Sequence, residues 1–326
     1  MIRYVAKRIL FMIPVLLGVL LMVFLLLDVA PGDPARSILG DFATEEQLEA
    51  KREELGLNDP VLVRYVRYVG NLVLKGDMGI SYTTGKPVTQ AIFERFPTTV
   101  LLAMLGVIMM IVFGLPAGII SAVRQYSWID NISRSVAMLG VSMPNFWTGL
   151  LLIMAFALNL KWLPASGFYG PEYWVLPAVT IGFGAAAQLT RTTRSCMLEV
   201  VRQDYIRTAR AKGQTERVVT MHHVLRNALI PVVTVIGLQF GTLLGGAMIT
   251  EQIFSIPGLG KFMVESIKSR DYPIVQGGLI LISSCFCLVN LLIDILYAFL
   301  DPRIKAQYQG KKRSSKAEGK GEREHE

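Results

Sequence analysis

The sequence has little charge and few residues that bind metals or form disulfides. Only 18% of its 326 residues are charged, whereas soluble domains carry about 25%. The three cysteines, Cys196, Cys285 and Cys287, lie in or beside apolar runs without a C-x-x-C pair. This arrangement excludes a disulfide framework and argues against a zinc site. The composition is 52% hydrophobic, which favours a chain that contacts lipid over a soluble enzyme.

Catalytic motifs are also missing. The chain contains neither G-x-S-x-G nor H-E-x-x-H. Its nearest approach to a P-loop, residues 79–87, has five residues between the glycines instead of four, and Pro87 follows the lysine. Adjacent His222 and His223 are interpreted as polar helical residues and not as a metal site. We therefore predict no catalytic residue, metal or cofactor in this chain, and expect another chain to hydrolyse any ATP.

Long apolar runs dominate the sequence. A helix needs about 20 apolar residues to cross a lipid core, and six runs fit, which predicts an all-α membrane protein. The first run follows Arg3, Lys7 and Arg8 but is too long for a signal peptide and has no A-x-A cleavage site after it, so it is interpreted as an uncleaved span. The six predicted spans are residues 9–30, 98–122, 135–158, 173–189, 229–250 and 277–300.

The distribution of basic residues predicts the orientation. Six spans place both termini on one side of the membrane. The four segments on that side carry 21 of the 33 Lys and Arg residues, in a shorter total length than the three segments opposite. By the positive-inside rule, both termini lie in the cytoplasm. The net charge of +8 is thereby assigned to cytoplasmic loops, and no nucleic-acid partner is expected.

The interiors of the spans are nearly free of carboxylates. Asp28 and Asp294 lie near span ends, whereas ion-coupled carriers usually hold carboxylates inside the membrane. A proton- or sodium-coupled carrier is therefore the less favoured alternative. The spans contain small and uncharged polar residues, which either pack helices closely or line a path. The candidates for a translocation path are Ser142, Asn145, Phe146, Gln188, Gln239 and Thr242.

The first outer loop has helical signals. Residues 44–47 have the form of a capping box and precede a helix that ends at Gly56. Asp59 and Pro60 are interpreted as an N-cap and a first helical residue. Amphipathic spacing follows up to Gly76. These signals predict a small helical cap that either shields the helix ends or receives a partner. The amphipathic positions are Val61, Tyr65, Tyr68, Val69 and Leu72.

The inner loop at residues 201–231 is too polar to cross lipid and too patterned for a linker. Tyr205, Ile206 and Ala209 share one side of a predicted helix, which Gly213 ends. A second helix follows and runs into the fifth span. An amphipathic helix in the cytoplasm docks either on lipid headgroups or in a groove of another subunit. The second helix has a predicted apolar stripe at Val218, His222, Leu225 and Leu229.

Several short motifs occur in a fixed order along the chain. They are Pro-Gly-Asp-Pro at 31–34, Gly-Asp-Met-Gly-Ile-Ser at 76–81, Ser-Met-Pro-Asn-Phe at 142–146, residues 204–213 with 226–231, residues 254–260, Asp-Tyr-Pro at 271–273 and Leu-Asp-Pro-Arg-Ile at 300–304. Together they resemble permease subunits of binding-protein-dependent ABC importers, in the dipeptide, oligopeptide and nickel group, specifically the B-type permease. Arg207 departs from the glutamate that begins the generic loop of these permeases, and Gln214 stands where the group usually has an apolar residue.

The resemblance implies the six-helix fold of type I ABC importers and an ATPase-coupling helix. Its implied division is 1–30 for the N-terminus and first helix, 31–94 for the outer helical cap, 95–300 for the core with a coupling loop at 194–228, and 301–326 for a basic disordered tail. Tyr205, Ile206 and Ala209 would supply buried contact to the ATPase. The implied coupling helix consists of Asp204, Tyr205, Ile206, Arg207, Thr208, Ala209, Arg210, Ala211, Lys212 and Gly213.

The resemblance also implies a function and a set of partners. The chain would pair with a second, related permease and form a path for short peptides across the cytoplasmic membrane. Two ATPase subunits would use ATP and Mg²⁺, and an extracytoplasmic binding protein would deliver the substrate. A permease for nickel or another small solute is the alternative within the same family.

Overall fold

The computed structural model describes residues 2–300, and side chains from Val5 to Leu296. Apart from one antiparallel bridge between Ile80 and Pro87, the regular structure in this range is helical. Three helices contain or adjoin a π-helical turn, in which the hydrogen bonds join residues five apart. These turns are Met110–Gly114, Ile153–Asn159 and Val219–Val224. The helices are α1 (Ile2–Val29), α2 (Pro34–Leu39), α3 (Glu45–Glu54), α4 (Val61–Lys75), α5 (Val88–Met109), α6 (Leu115–Val123), α7 (Trp128–Ser142), α8 (Asn145–Leu152), α9 (Pro171–Val201), α10 (Asp204–Ala211), α11 (Glu216–Val218), α12 (Leu225–Ile253), α13 (Leu259–Lys268) and α14 (Tyr272–Leu300).

The helices confirm most of the predicted spans. By length and composition, four continuous helices can each cross a membrane, namely Val5–Val29, Val88–Val123, Glu216–Ile253 and Tyr272–Leu296. The third predicted span is broken: α7 and the helix that continues α8 meet at 108°. Pro144 lies at the break, where it precedes the first residue of α8. Counting this bent pair as one span gives five.

The fourth predicted span, residues 173–189, lies in α9, which does not reach the hydropathy of a lipid-facing helix. The reason lies in its position, because α9 packs against α5, α6, α7, α8 and α12. Side chains that face other helices do not contact lipid, and therefore need not be apolar. The helix continues twelve residues beyond the predicted end through a polar segment that includes Arg191 and Arg194.

Close helix packing around α9 depends on small residues. A Cβ atom at Gly114 would lie 2.6 Å from the backbone oxygen of Ala186, so no larger residue fits there without separating the helices. Because the two helices lie this close, the Thr190 hydroxyl can donate to the backbone oxygen of Gly114 at 3.1 Å. The surrounding core buries Leu102, Met110, Ile181, Leu189, Leu243, Leu244 and Phe254.

The outer loop folds as helices, as predicted. Thr44 and Gln47 form the reciprocal capping box, with distances of 3.0 and 3.3 Å, and α3 is followed by Gly56 in the left-handed region. The prediction for Asp59 was wrong. Pro60 occupies the N-cap position of α4 without a side-chain cap bond. The Asp59 carboxylate instead pairs with Arg67 at 2.6 Å, because the rigid proline already sets the start of the helix.

The predicted division between residues 94 and 95 and the predicted start of the second span at residue 98 both fall inside one helix. Helix α5 begins at Val88 and runs through Pro97, so the division at residues 94 and 95 falls inside a helix. Pro97 lacks a backbone N–H and favours a break in a helix. The predicted second span accordingly began directly after this proline, at residue 98. The predicted basic tail, 301–326, lies outside the described residues.

Candidate functional site

The segment that joins α9 to α12 holds the predicted coupling helix, residues 204–213. Helix α10 covers the first eight of these residues. The helix ends in a Schellman arrangement. The backbone N–H of Gln214 donates to the carbonyl of Ala209, and the N–H of Gly213 donates to that of Arg210. Gly213 has a φ of +78°. The structure thus confirms that this glycine ends the helix.

Two of the three side chains predicted to contact an ATPase are buried within this chain. Ile206 is fully buried and Ala209 nearly so, against Met197, Val219 and Ala228. They hold α10 onto the neighbouring helices and are therefore not available to a partner. Tyr205 remains 47% exposed. The exposed residues of the predicted coupling helix are Asp204, Tyr205, Arg207, Thr208, Arg210, Ala211, Lys212 and Gly213.

The stripe predicted at Val218, His222, Leu225 and Leu229 was wrong for its first two residues, whereas Leu225 and Leu229 pack partly against the core. Val218 and His222 are exposed, and the buried side chains are Val219, Val224, Ala228 and Val232. Their spacing is five residues and then four. The π-helical turn at Val219–Val224 inserts the extra residue, which rotates the buried face away from a regular helical register.

Two polar contacts brace the turn after α10. Arg210 forms a bidentate pair with Glu216, with Nε–Oε1 at 2.7 Å and Nη2–Oε2 at 3.1 Å. The amide oxygen of Gln214 lies 2.7 Å from Nε2 of His223. These contacts join α10 and its turn to the helix that leads into α12. No cluster of three or more metal-binding side chains occurs among the described residues.

A buried ion pair fixes the end of α9 beside this segment. Arg194 contacts Asp130 at 2.8 and 2.9 Å. The same carboxylate accepts from the hydroxyl of Ser121 at 2.6 Å and from the backbone N–H of Tyr126 at 2.9 Å. Removing one partner of such a pair leaves a buried charge unpaired, at a cost of about 3–5 kcal/mol. The sequence reading missed this pair, although Ser127-x-x-Asp130 has the spacing of an N-terminal cap.

The predicted path residues fall on partly uncovered surfaces. The break at Ser142–Asn145 approaches α9, where the side-chain oxygen of Asn145 lies beside Gly184, one turn before Gln188. Ser142, Phe146, Gln188 and Thr242 are exposed, and Asn145 and Gln239 are half-buried. The structure thus brings Asn145 close to the Gln188 turn, while Gln239 and Thr242 occupy a separate helix, α12.

Both helices carry exposed stripes that the sequence analysis did not connect. On α9, Gln188, Arg191 and Ser195 recur at i, i+3 and i+7 and are all exposed. Arg191 was missed because it lies beyond the predicted end of span four. On α12, the exposed stripe consists of Leu238, Thr242, Gly245 and Ile249.

A second polar centre lies at the C-terminal end of α12. The buried carboxylate of Glu251 accepts from the Thr99 hydroxyl at 2.6 Å and from the backbone N–H of Lys261 at 2.8 Å. Because Lys261 is in the first turn of α13, the carboxylate caps the N-terminus of that helix. A Cβ atom at Gly260 would lie 2.5 Å from the Cα of Met248. The motif at 254–260 therefore forms a tight turn around one carboxylate.

Three motifs that are distant in sequence meet around Arg270 and Asp271. Asp271 accepts from the Ser81 hydroxyl and from the backbone N–H groups of Tyr82 and Thr83, the latter two at 3.0 and 3.3 Å. The neighbouring Arg270 donates to the backbone oxygen of Pro31 and occupies the space that a side chain at residue 32 would need. Burial raises the pKa of Tyr82 to about 12, so its phenol is neutral. The first outer loop is thus fastened to the turn between α13 and α14.

Comparisons with known proteins agree with this architecture. Residues 114–306 match the family described as "Binding-protein-dependent transport system inner membrane component", and residues 1–103 match the N-terminal component of such systems. The chain is 44% identical over 305 residues to the glutathione transport system permease protein GsiC of Escherichia coli K12, covering 94% of this chain and 99% of the relative. It is 42% identical to the dipeptide transport system permease protein DppB of Alkalihalophilus pseudofirmus, covering 94% and 100%.

Solved structures show the same fold at low sequence identity. An inward-facing MetNI methionine ABC transporter chain gives a TM-score of 0.57 at 18% identity, covering 65% of this chain and 97% of that one. An amino acid ABC transporter chain gives a TM-score of 0.51 at 17% identity, covering 66% of this chain and 94% of that one. The chain therefore belongs to the binding-protein-dependent transport system inner membrane component family, and it is the multi-pass permease component of an ABC importer.

Proposed function

We propose that this chain forms half of an ATP-driven path for dipeptides and oligopeptides across the cytoplasmic membrane. The names of its relatives, a glutathione permease and a dipeptide permease, support a short-peptide substrate. A second, homologous permease completes the path, and an extracytoplasmic binding protein delivers the peptide.

The uncovered polar stripe on α9 carries the proposal. Gln188, Arg191 and Ser195 are exposed in the middle and second half of a helix that packs against five neighbouring helices. A charged side chain within a membrane is costly unless it faces protein or a water-filled cavity. A second permease that faces α9 and α12 would enclose this stripe and the α12 stripe at Thr242 and Gly245. The two chains would then form a polar path between them.

The exposed face of α10 is the proposed ATPase contact. Two ATPase subunits bind and hydrolyse ATP with Mg²⁺, and this chain contributes no catalytic residue. Tyr205 supplies an aromatic contact, and Arg207 and Lys212 supply charge. Because Ile206 and Ala209 hold α10 onto this chain, a push on α10 moves α9 and α12 with it. This orientation places both termini in the cytoplasm, in line with the basic inner loops.

Two alternatives have less support. A nickel path would be expected to carry metal ligands, and no cluster of three or more such residues occurs among the described residues. An ion-coupled carrier needs a carboxylate that can titrate or bind an ion. Asp28, Asp130 and Asp294 are each paired with an arginine instead. The buried carboxylate of Glu251 accepts hydrogen bonds from the Thr99 hydroxyl and the backbone N–H of Lys261, and so caps a helix within the fold.

A pair of substitutions at Gly213 tests the proposal. A Cβ atom there would meet no atom within 4 Å, so only the positive φ opposes a side chain. Asparagine tolerates this backbone conformation and β-branched residues do not. The complex would be reconstituted in vesicles with its ATPases and binding protein, and uptake of a labelled dipeptide measured. Gly213→Val should lose ATP-driven uptake while ATP hydrolysis continues, and Gly213→Asn should keep both. Equal uptake by the two variants would contradict the proposed role of α10.

A further inference from the structure

The helix α4 in the first outer loop has three distinct faces. Its first face packs against α1 and α14, with Phe24 of α1 in edge-on contact with Tyr65 and Tyr68 at ring-centroid distances of 5.7 and 5.5 Å. This face is internal to the fold. Its members are Val61, Tyr65, Tyr68, Val69 and Leu72.

The second face is polar and lies at the outer end of α1. Arg64 pairs with Asp28, the penultimate residue of α1, and donates to the backbone oxygen of Asp59 at 3.1 Å. Arg67 pairs with the Asp59 carboxylate at 2.6 Å. The polar residues of this face recur at i, i+3, i+7 and i+11, as one side of a helix requires. They are Arg64, Arg67, Asn71 and Lys75.

The third face is apolar and uncovered. Leu62, Val66 and Val73 recur at i, i+4 and i+11, and are 59%, 66% and 73% exposed. They lie across the helix from the polar face. Within the part of the chain that the structure describes, no side chain shields them. Three aliphatic residues on one stripe, opposite a basic face, form the pattern of a helix that lies in a membrane interface.

One hydrogen bond gives the depth of α4 along α1. The Tyr65 hydroxyl donates to the backbone oxygen of Leu17 at 3.1 Å. Leu17 lies twelve residues before Val29, the outer end of α1, which corresponds to about 18 Å along a helix axis. A tyrosine side chain is much shorter than this distance. The α4 backbone at Tyr65 therefore lies well below the outer end of α1, whereas Arg64 reaches back up to Asp28.

We propose that α4 lies in the outer leaflet of the membrane, with Leu62, Val66 and Val73 among the lipid acyl chains. The helix α1, against which α4 packs, also exposes apolar side chains, among them Met22 and Leu26. The arginines of the opposite face point towards water and headgroups. The helix thus anchors the first outer loop in the bilayer. The loop in turn is fastened to the α13–α14 turn through Asp271, so the anchor fixes the outer end of the core relative to the membrane surface.

Spin-label depth measurements test this placement. Cys196, Cys285 and Cys287 would be replaced by serine, and single cysteines introduced by Val66→Cys, Val73→Cys and Lys75→Cys in the full importer complex. The complex would be placed in nanodiscs of phosphatidylethanolamine and phosphatidylglycerol. Collision rates of each nitroxide with oxygen, which concentrates in lipid, and with a water-soluble nickel chelate would be compared. Lys75 is the control, because it follows Val73 by two residues and belongs to the polar face.

The expected result is an oxygen-to-nickel collision ratio several-fold higher at Val66 and Val73 than at Lys75. Ratios at Val66 and Val73 as low as that at Lys75 would show that the stripe faces water, and would overturn the proposal. Low collision rates with both reagents at Val66 and Val73 would overturn it equally. That outcome would mean that a protein surface, such as the second permease or the binding protein, covers the stripe.

Discussion

The guanidinium of Arg210 and the carboxylate of Glu216 face each other across the turn at Gly213, in a bidentate pair with Nε–Oε1 at 2.7 Å. The pair joins the last turn of α10 to the start of the helix that becomes α12. It is solvent-exposed, so its contribution to the free energy of unfolding is less than about 1 kcal/mol. Its larger role in the proposed mechanism is geometric, since it holds α10 at one angle to α12.

The substitution Glu216→Gln tests this role. The neutral amide loses the charge-assisted contact with Arg210, and we expect the thermal stability of the purified complex to stay unchanged. We expect the number of peptides taken up per ATP hydrolysed to fall, because α10 would move partly independently of α12. Glu199→Gln, at an exposed position near the end of α9, is the control. A normal ratio in Glu216→Gln would show that the pair is not a coupling element.

Ile206 and Tyr205 are adjacent residues with opposite expected effects. Ile206→Ala removes a fully buried side chain from the contact with Met197 and Val219, and we expect a loss of about 2–5 kcal/mol of stability. Tyr205→Ala changes an exposed side chain and should leave the unfolding temperature within about one degree of the original protein, in line with surface substitutions. Thermal unfolding in detergent, followed by tryptophan fluorescence, checks both. A stable Ile206→Ala protein would contradict the observed packing.

Asp271 joins the first outer loop to the α13–α14 turn. Asp271→Ala leaves the buried Ser81 hydroxyl without its acceptor, at a cost of about 1–3 kcal/mol, and also removes the acceptor of the backbone N–H groups of Tyr82 and Thr83. We expect residues 76–87 to become sensitive to protease in membrane vesicles whose outer side faces the protease. Asp271→Asn keeps one acceptor oxygen, so its protease resistance should lie between those of the original protein and Asp271→Ala. Equal protease resistance of all three proteins would exclude this joint as the feature that holds the loop.

The glycines of the outer turn are restricted by space. In Gly260→Ala, the new methyl group would overlap the backbone of Met248 and approach the Glu251 carboxylate. Overpacking of this kind costs about 1–3 kcal/mol, so we expect a lower unfolding temperature and less protein in the membrane. Gly245→Ala is the matched control, because its Cβ would meet nothing within 4 Å in this chain. In the complete importer, a loss of activity in Gly245→Ala without a loss of stability would indicate that a partner helix packs there.

The sequence predicted the helices and their order well, because long apolar runs, the capping box at Thr44 and the glycines at 56, 76 and 213 act locally. It failed where tertiary contacts decide. The π-helical turn at Val219–Val224 shifted the buried face, which no regular periodicity reveals. The Asp130–Arg194 pair and the Asp271–Ser81 joint link residues 64 and 190 positions apart. Their motifs were visible in the sequence, but their proximity was not.

The central claim is that the exposed face of α10 binds an ATPase, and co-purification tests it most directly. The tagged chain would be solubilised mildly from its native membrane, in the original form and as Tyr205→Arg, which alters only an exposed side chain. The account predicts that the original chain brings a second permease and ATPase subunits with ATP hydrolysis. Tyr205→Arg should retain the permease and lose the ATPases. Recovery of the original chain without any ATPase, with peptide transport intact in liposomes lacking ATP, would contradict the account.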